Sequence, residues 1–127
     1  MKYKIVRENK PTLKNYGRYK AVAVHYQTVD TDRICREIQA NTSAKASDVM
    51  LVLTELAEVL NRHLQDGDRV RLTNLGLLKL EIESEKVDRP EDFNARRHVR
   101  RICLHVLPES YEGRQALYEG VTLERER

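Results

Sequence analysis

Basic side chains are concentrated between residues 86 and 101, in a stretch with little hydrophobic pattern. They are Lys86, Arg89, Arg96, Arg97, Arg100 and Arg101, and Pro90 lies among them. A guanidinium group stays charged at physiological pH, and its fork of N–H donors matches the oxygens of a phosphate. These residues could therefore hold a phosphate-rich polyanion. Charge runs are also typical of a solvated surface, so the residue types alone leave both interpretations open.

The residue types that most often perform catalysis or bind metals are scattered along the chain. The four histidines are His25, His63, His98 and His105, and the two cysteines are Cys35 and Cys103. Their spacing matches no Ser/His/Asp, Cys/His or metal-ligand motif, and the chain has no P-loop. We expect both cysteines to be reduced and to behave as small apolar side chains. The sequence therefore predicts no enzyme, cofactor, metal or small-molecule substrate.

The net charge of +3 is distributed unevenly along the chain. Residues 1–27 carry seven Lys/Arg against one Glu, a net charge of +6, and residues 84–101 carry +2. The intervening residues 28–83 carry −3, and residues 109–127 carry −2. This asymmetry favours a polyanion that contacts two particular surfaces over a uniformly basic coat.

Length and hydrophobic content limit the size of the core. A chain of 127 residues with 40% hydrophobic residues fits one domain with a modest core, and we expect a partner chain to complete it. No run approaches the roughly 20 apolar residues of a membrane span, and the N-terminus lacks the apolar stretch of a secretory signal. The sequence therefore predicts a cytoplasmic protein with no membrane partner.

Hydrophobic periodicity predicts two strands followed by two helices in the first half of the chain. The predicted elements are strands over residues 2–7 and 18–27, a short helix over residues 31–40, and a longer helix between Ser47–Asp48 and Asp66–Gly67. The short helix is capped by Asp30 or by a neighbouring Thr. In the longer helix Leu56, Leu60 and Leu64 recur at helical spacing, so one face must be buried.

The second half of the chain predicts an antiparallel sheet, because apolar and charged residues alternate along it. Its members are a strand with Val70 and Leu72, the corner Asn74–Leu75–Gly76, a strand with Leu78, Leu80 and Ile82, and a third strand from Ile102 to Val106 that stops at Pro108. A short helix is predicted over residues 108–120. Residues 121–127 are predicted to be a tail.

The order of these elements and four local motifs resemble the HU/IHF family of bacterial histone-like DNA-binding proteins. The motifs are DRICREIQANTSAK in the first helix and its loop, LNRHLQDGDRVRL from the second helix into a strand, LTNLGLLKLEI around the corner, and VLPESYEGRQALYE after the last strand. The resemblance covers about 90 of the 127 residues, from Thr31 to about Gly120. Pro90 occupies the place of the Pro at the tip of the family's arm.

The resemblance implies an α+β fold with two helices under a three-stranded antiparallel sheet, a β-ribbon arm over about residues 84–101 and a short C-terminal helix. It divides the chain into a basic β extension (1–27), an HU-like domain (28–120) and the tail. Two chains would form an intertwined homodimer. The implied function is architectural: binding of double-stranded DNA in the bacterial nucleoid, largely without sequence specificity, through phosphate and minor-groove contacts and with bending. The implied DNA contacts are Lys86, Arg89, Pro90, Arg96, Arg97, Arg100 and Arg101.

The chain departs from the family pattern at the tip of the predicted arm, where Asp88, Glu91 and Asp92 surround Pro90. Phosphates would repel these acids. Pro90 is therefore equally consistent with a wedge that opens a base step and with an ordinary loop-tip residue. The arm could also fold back, or the sheet and the strand from Arg96 to Arg101 could hold the DNA.

Two other functions compete with this hypothesis. The acidic tip is also typical of an HU-like protein-interaction or structural module that has lost DNA binding. A helix-turn-helix regulator over residues 31–64 is poorly supported, because the second helix has few basic residues. The N-terminal extension is absent from minimal family members, and its charge of +6 would add affinity for DNA.

Overall fold

The computed structural model describes residues 1–14, 16–108 and 117–127. The elements are β1 (Lys2–Arg7), β2 (Tyr19–Ala23), α1 (Thr31–Asn41), α2 (Ala46–Gln65), β3 (Val70–Leu72), β4 (Gly76–Ser84), a 3-10 turn (Pro90–Asp92), α3 (Ala95–His98), β5 (Val99–Pro108) and β6 (Glu124–Arg125). The chain divides into two compact units, residues 1–34 with 120–127 and residues 35–119. Each unit contains one three-stranded sheet.

The first unit is built on the two predicted N-terminal strands, which form a hairpin: β1 and β2 pair antiparallel from Tyr3↔Ala23 to Arg7↔Tyr19. β2 ends at Ala23 and not at the predicted residue 27. Residues 121–127, predicted to be a tail, contain the short strand β6. β6 pairs in parallel with β1 through Lys2↔Glu124 and Tyr3↔Arg125. The N-terminal ammonium also donates to the carbonyl of Thr122 at 2.8 Å, so the two ends of the chain meet in one sheet.

Both predicted helices are confirmed. Asp30 Oδ1 accepts a hydrogen bond from the Arg33 backbone N–H at 3.1 Å, which caps the start of α1. At the start of α2, Asp48 Oδ2 accepts from the Lys45 N–H at 3.3 Å, and Gly67 with φ +89° follows the last turn. No helix in the described ranges is both long and apolar enough to cross a membrane.

The second unit contains the predicted antiparallel sheet, with the strand order β3-β4-β5. Leu72 pairs with Gly76, so the loop between β3 and β4 is residues 73–75, one residue earlier than predicted. Gly76 has φ +151°, and a Cβ there would collide with the carbonyl oxygen of Leu107 on β5. Only glycine fits this close approach of two strands.

The register gives this sheet two different faces, because directly paired residues point to the same side. The apolar face carries Val70, Leu72, Leu78, Leu80, Ile82, Ile102, Leu104 and Val106. The charged face carries Arg71, Lys79, Glu81, Glu83, Arg101 and His105, together with Leu77, Cys103 and Leu107. Helix α2 packs against β3 and β4.

The core of the single chain is small, as its composition predicts. Among the described residues, the buried hydrophobic side chains are Cys35 and Leu64. On the apolar face of the sheet, Ile82 remains 67% exposed and Leu104 remains 59% exposed. The alternation of the strands therefore creates an apolar surface that the chain itself does not cover.

The prediction of a β-ribbon arm is wrong for residues 85–98, called here the tip segment. Strand pairing ends at Ser84↔Val99, and the tip segment instead contains the 3-10 turn and α3. Pro90 has no N–H for a strand ladder, and Asn94 Oδ1 caps α3 by accepting from the Arg96 N–H at 3.0 Å. The Glu85 N–H donates to the His98 carbonyl at 2.7 Å and closes the segment at its base.

The predicted C-terminal helix over residues 108–120 falls mainly on residues 109–116, which lie outside the described residues. Of that prediction, the described part is Pro108 at the end of β5 and a turn over residues 117–120.

Candidate nucleic-acid interface

The carboxylates on the charged face of the sheet lie beside basic side chains. Glu81 is placed between two of them, with Lys79 Nζ at 3.1 Å from Oε1 and His105 Nδ1 at 3.1 Å from Oε2. Glu83 faces Arg101 directly across the strands, and the Arg101 Nε donates to Glu83 Oε2 at 2.6 Å. Basic and acidic side chains therefore alternate over the charged face of the sheet.

These contacts stabilise the ionised carboxylates. The hydrogen bond and then the positive charge of Arg101 lower the pKa of Glu83, and in turn Glu83 raises the pKa of Arg101. A hydrogen bond from Lys79 is the main cause that lowers the pKa of Glu81. Both glutamates consequently keep their negative charge to lower pH than isolated carboxyl groups do.

Two of the arginines predicted to bind DNA are already engaged by carboxylates. Arg101 is bound to Glu83, and Arg100 Nε lies 3.7 Å from Glu85 Oε1. Both pairs are solvent-exposed, so each is individually weak. A phosphate that approached Arg101 would nevertheless compete with a carboxylate already in contact with it.

The other predicted basic residues lie in the tip segment and project into solvent. They are Lys86, Arg89, Arg96 and Arg97, all exposed. In the part of the chain that the structure describes, none of these four side chains pairs with a carboxylate. Arg96 and Arg97 are adjacent on α3 and follow the capping residue Asn94. The structure therefore separates the seven predicted residues into two engaged arginines, four open basic residues and Pro90.

Pro90 begins the 3-10 turn, with Glu91 and Asp92 completing it. Phe93, which was not among the predicted contacts, follows this turn and remains 42% exposed. Its ring lies 5.4 Å from the His98 ring, and the His98 Nδ1 accepts the Asn94 N–H at 2.8 Å. An aromatic residue three positions after a proline in a charged stretch was the signal that could have identified it. The tip thus presents Phe93 as an apolar group alongside Pro90.

Comparison with known families identifies the domain. A family model described as "HU-HIG: HU domain fused to wHTH, Ig, or Glycine-rich motif" matches residues 1–109. The chain belongs to the HU-HIG family. The matched range of this HU-HIG chain begins at residue 1, so it includes the N-terminal hairpin as well as the helices α1 to α3 and the β3-β4-β5 sheet. No curated protein matches the chain.

Membership in the HU-HIG family confirms the resemblance to HU at the level of the domain, and an HU-type domain points to a histone-like architectural protein. The mixed α+β arrangement of the described elements is compatible with that fold. The seven predicted contact residues stay a prediction.

Proposed function

We propose that this HU-HIG chain is a non-enzymatic architectural protein of the bacterial nucleoid that binds and bends double-stranded DNA, largely without sequence specificity. The observation that carries the proposal is the position of Arg96 and Arg97 in an HU-type domain. Both are exposed, adjacent, and without a carboxylate partner among the described residues. Two open guanidinium groups at the end of a two-stranded ribbon can neutralise phosphates on a duplex surface.

The remaining predicted contacts fall into two groups, basic side chains that are free to bind a phosphate and arginines that are already paired with a glutamate. Lys86 and Arg89 lie in the tip segment with Arg96 and Arg97 and would add to the same positive surface. Arg100 and Arg101 would contribute less, because binding DNA requires them to leave Glu85 and Glu83. In the proposed complex, Pro90 and Phe93 supply the apolar contact that opens a base step and bends the duplex.

The proposed active form is a homodimer. In a single chain the apolar face of the β3-β4-β5 sheet is largely exposed, and a groove of about 670 Å³ lies between that face and the end of α2. Its apolar lining is Leu64, Leu80, Ile82, Ile102 and Leu104. An apolar surface of this kind is costly to leave in water, and a second copy of the chain offers a complementary apolar surface.

A salt titration tests the DNA contacts. The affinity of the chain for a fluorescent duplex is measured by anisotropy at several salt concentrations, for the wild type and for the Arg96→Gln/Arg97→Gln variant. The slope of log K against log salt should become shallower by roughly 1.8, since each lost phosphate contact removes about 0.9. Arg62→Gln is the matched control, because Arg62 is an exposed arginine on α2, and its slope should stay unchanged. An identical slope in the double variant and the wild type would refute the proposed contacts.

A second candidate function is an HU-like protein-interaction or structural module that does not bind DNA. It is favoured by the charge of the second unit, since residues 35–119 carry 13 Lys/Arg against 15 Asp/Glu, a net charge of −2. It is also favoured by Asp88, Glu91 and Asp92 around Pro90. A wild-type protein that remains dimeric but shifts no duplex at low salt would establish this alternative.

A further inference from the structure

The positive charge of the chain lies mainly in the N-terminal unit, outside the DNA contacts proposed above. Residues 1–34 and 120–127 carry ten Lys/Arg against five Asp/Glu, a net charge of +5, whereas residues 35–119 carry −2. A unit with this balance attracts polyanions at moderate salt concentration. The proposed duplex contacts in the tip segment leave this surface without a role.

The register of β1, β2 and β6 sorts aromatic and charged side chains onto different faces of the N-terminal sheet. One face, called here the tyrosine face, carries Tyr3, Ile5, Arg7, Tyr19, Ala21, Ala23 and Arg125. The opposite face carries Lys2, Lys4, Val6, Lys20, Val22 and Glu124. Within the described strands, the tyrosine face therefore contains arginines and no carboxylate.

The glutamate that directly follows β1, Glu8, is also directed away from the tyrosine face. Glu8 follows Arg7 at the end of β1, and its Oε2 lies 3.3 Å from Lys20 Nζ on the opposite face. A hydrogen bond from the Lys10 N–H and the contact with Lys20 lower the pKa of Glu8. The negative charge of Glu8 is thus paired with Lys20 on the opposite face, which lessens its repulsion of an anion on the tyrosine face.

Tyr19 on the tyrosine face and Tyr16 in the adjoining loop are open to solvent, whereas Tyr3 is half-buried. Tyr19 is 69% exposed, and Ala21, the next residue along β2 on this face, is too small to cover its ring. Tyr16, in the loop before β2, is 54% exposed, and the Arg7 guanidinium lies 6.0 Å from the centre of its ring. Exposed aromatic rings beside arginines offer both stacking for a base and a positive charge for the adjoining phosphate.

We propose that the tyrosine face of the N-terminal sheet binds single-stranded nucleic acid, with bases stacked on Tyr19 and Tyr16 and phosphates held by Arg7 and Arg125. In a duplex the base faces are stacked against each other and cannot lie on a tyrosine ring. An unpaired strand exposes them. The site is therefore selective for unpaired strands and is separate from the proposed duplex contacts of the tip segment.

The test uses the full chain and a fluorescein-labelled 20-nucleotide oligo(dT), which forms no duplex. Binding is followed by anisotropy at low salt for Tyr19→Ala and Tyr19→Phe. Tyr19→Ala should weaken oligo(dT) binding by about fivefold or more, and Tyr19→Phe should keep binding within about twofold, because stacking requires the ring and not the hydroxyl. Tyr26→Ala is the control, since Tyr26 is 66% exposed but lies outside the three strands, and it should bind as the wild type does.

Several results would overturn the proposal. They are an absence of oligo(dT) binding by the wild type, equal binding by Tyr19→Ala and the wild type, or an equal loss of oligo(dT) and duplex binding in Tyr19→Ala. If Tyr19→Ala disturbs the hairpin, Tyr16→Ala outside the strands replaces it and should show the same selective loss. The Arg96→Gln/Arg97→Gln variant should retain oligo(dT) binding, so the failure of the duplex proposal and the failure of this one are distinguishable.

Discussion

The Nε of Arg101 lies 2.6 Å from Oε2 of Glu83, directly across the β4–β5 pair. This contact links the charge pattern of the sheet to its register, because a shift of one residue would move Arg101 to the apolar face. It also decides which arginines are open to a phosphate. Arg101 is bonded to Glu83 on the neighbouring strand, so it is a poorer contact for DNA than Arg96 or Arg97 in the tip segment.

The Arg101–Glu83 pair predicts a pH effect that can be measured at one carboxyl group. Arg101 lowers the pKa of Glu83 in the folded chain, so the pair contributes stability above the ordinary pKa of a glutamate. That contribution is lost as the pH falls through the lowered value. In Arg101→Gln the Glu83 titration midpoint, followed by carbon NMR of the carboxyl group, should rise toward the ordinary glutamate value.

The control for this titration is Arg97→Gln, which removes an arginine of the tip segment that has no carboxylate partner among the described residues. It should leave the midpoint of Glu83 where it is in the wild type. Identical Glu83 midpoints in the wild type and in Arg101→Gln would contradict the role of Arg101.

The regular elements of the fold could be predicted from the sequence, because each depends on local pattern. The caps at Asp30 and Asp48 and the alternation around Leu78 are short-range signals, and the two helices and the sheet follow from them. The pairing of Lys2 with Glu124 could not be predicted, because the two residues are far apart in the sequence. β6, the strand that contains Glu124, is also only two residues long. Periodicity within one segment carries no information about such a contact.

The residues of the candidate site could be proposed from the sequence, but the contacts that their side chains make could not. The six basic residues from Lys86 to Arg101 could be found from charge alone, whereas Pro90 came from the family resemblance. Their division into open and engaged arginines depends on the bulge between Glu83 and Ser84 and on the turns of the tip segment. Those features follow from a proline, a capping asparagine and cross-strand register acting together, which a count of charges does not capture.

The carboxylates of the charged face should weaken duplex binding. Glu81 and Glu83 place two negative charges among the basic side chains of the sheet, and each repels phosphate. Glu81→Gln/Glu83→Gln should therefore strengthen duplex binding by about two- to tenfold at low salt, with a smaller gain at higher salt because exposed charges are screened. Anisotropy titrations measure the change. Glu58→Gln on α2 is the control, and a similar gain in that variant would indicate a general effect of net charge.

Substitution of Gly76 should strongly destabilise the folded chain. A Cβ at this position meets the carbonyl oxygen of Leu107, and φ of +151° is unfavourable for any other residue. Gly76→Ala should lower the free energy of unfolding by about 2 kcal/mol or more, measured by urea denaturation. Gly67→Ala at φ +89° has open space around the added methyl group and should cost about 1 kcal/mol. Equal losses in the two variants would show that strand approach at Gly76 is not the cause.

The exposed apolar face of the sheet predicts that stability depends on protein concentration. Leu104 remains 59% exposed in the single chain and lies on the same face as Ile82 and Ile102. If a second copy covers this face, Leu104→Lys should raise the dimer dissociation constant by at least about tenfold in sedimentation equilibrium. It should also lower Tm most at low concentration, because association stabilises the folded chain by mass action. Leu75→Lys, at an exposed leucine in the loop before β4, should leave the dissociation constant unchanged. A wild-type chain that sediments as a monomer at all concentrations would rule out the homodimer.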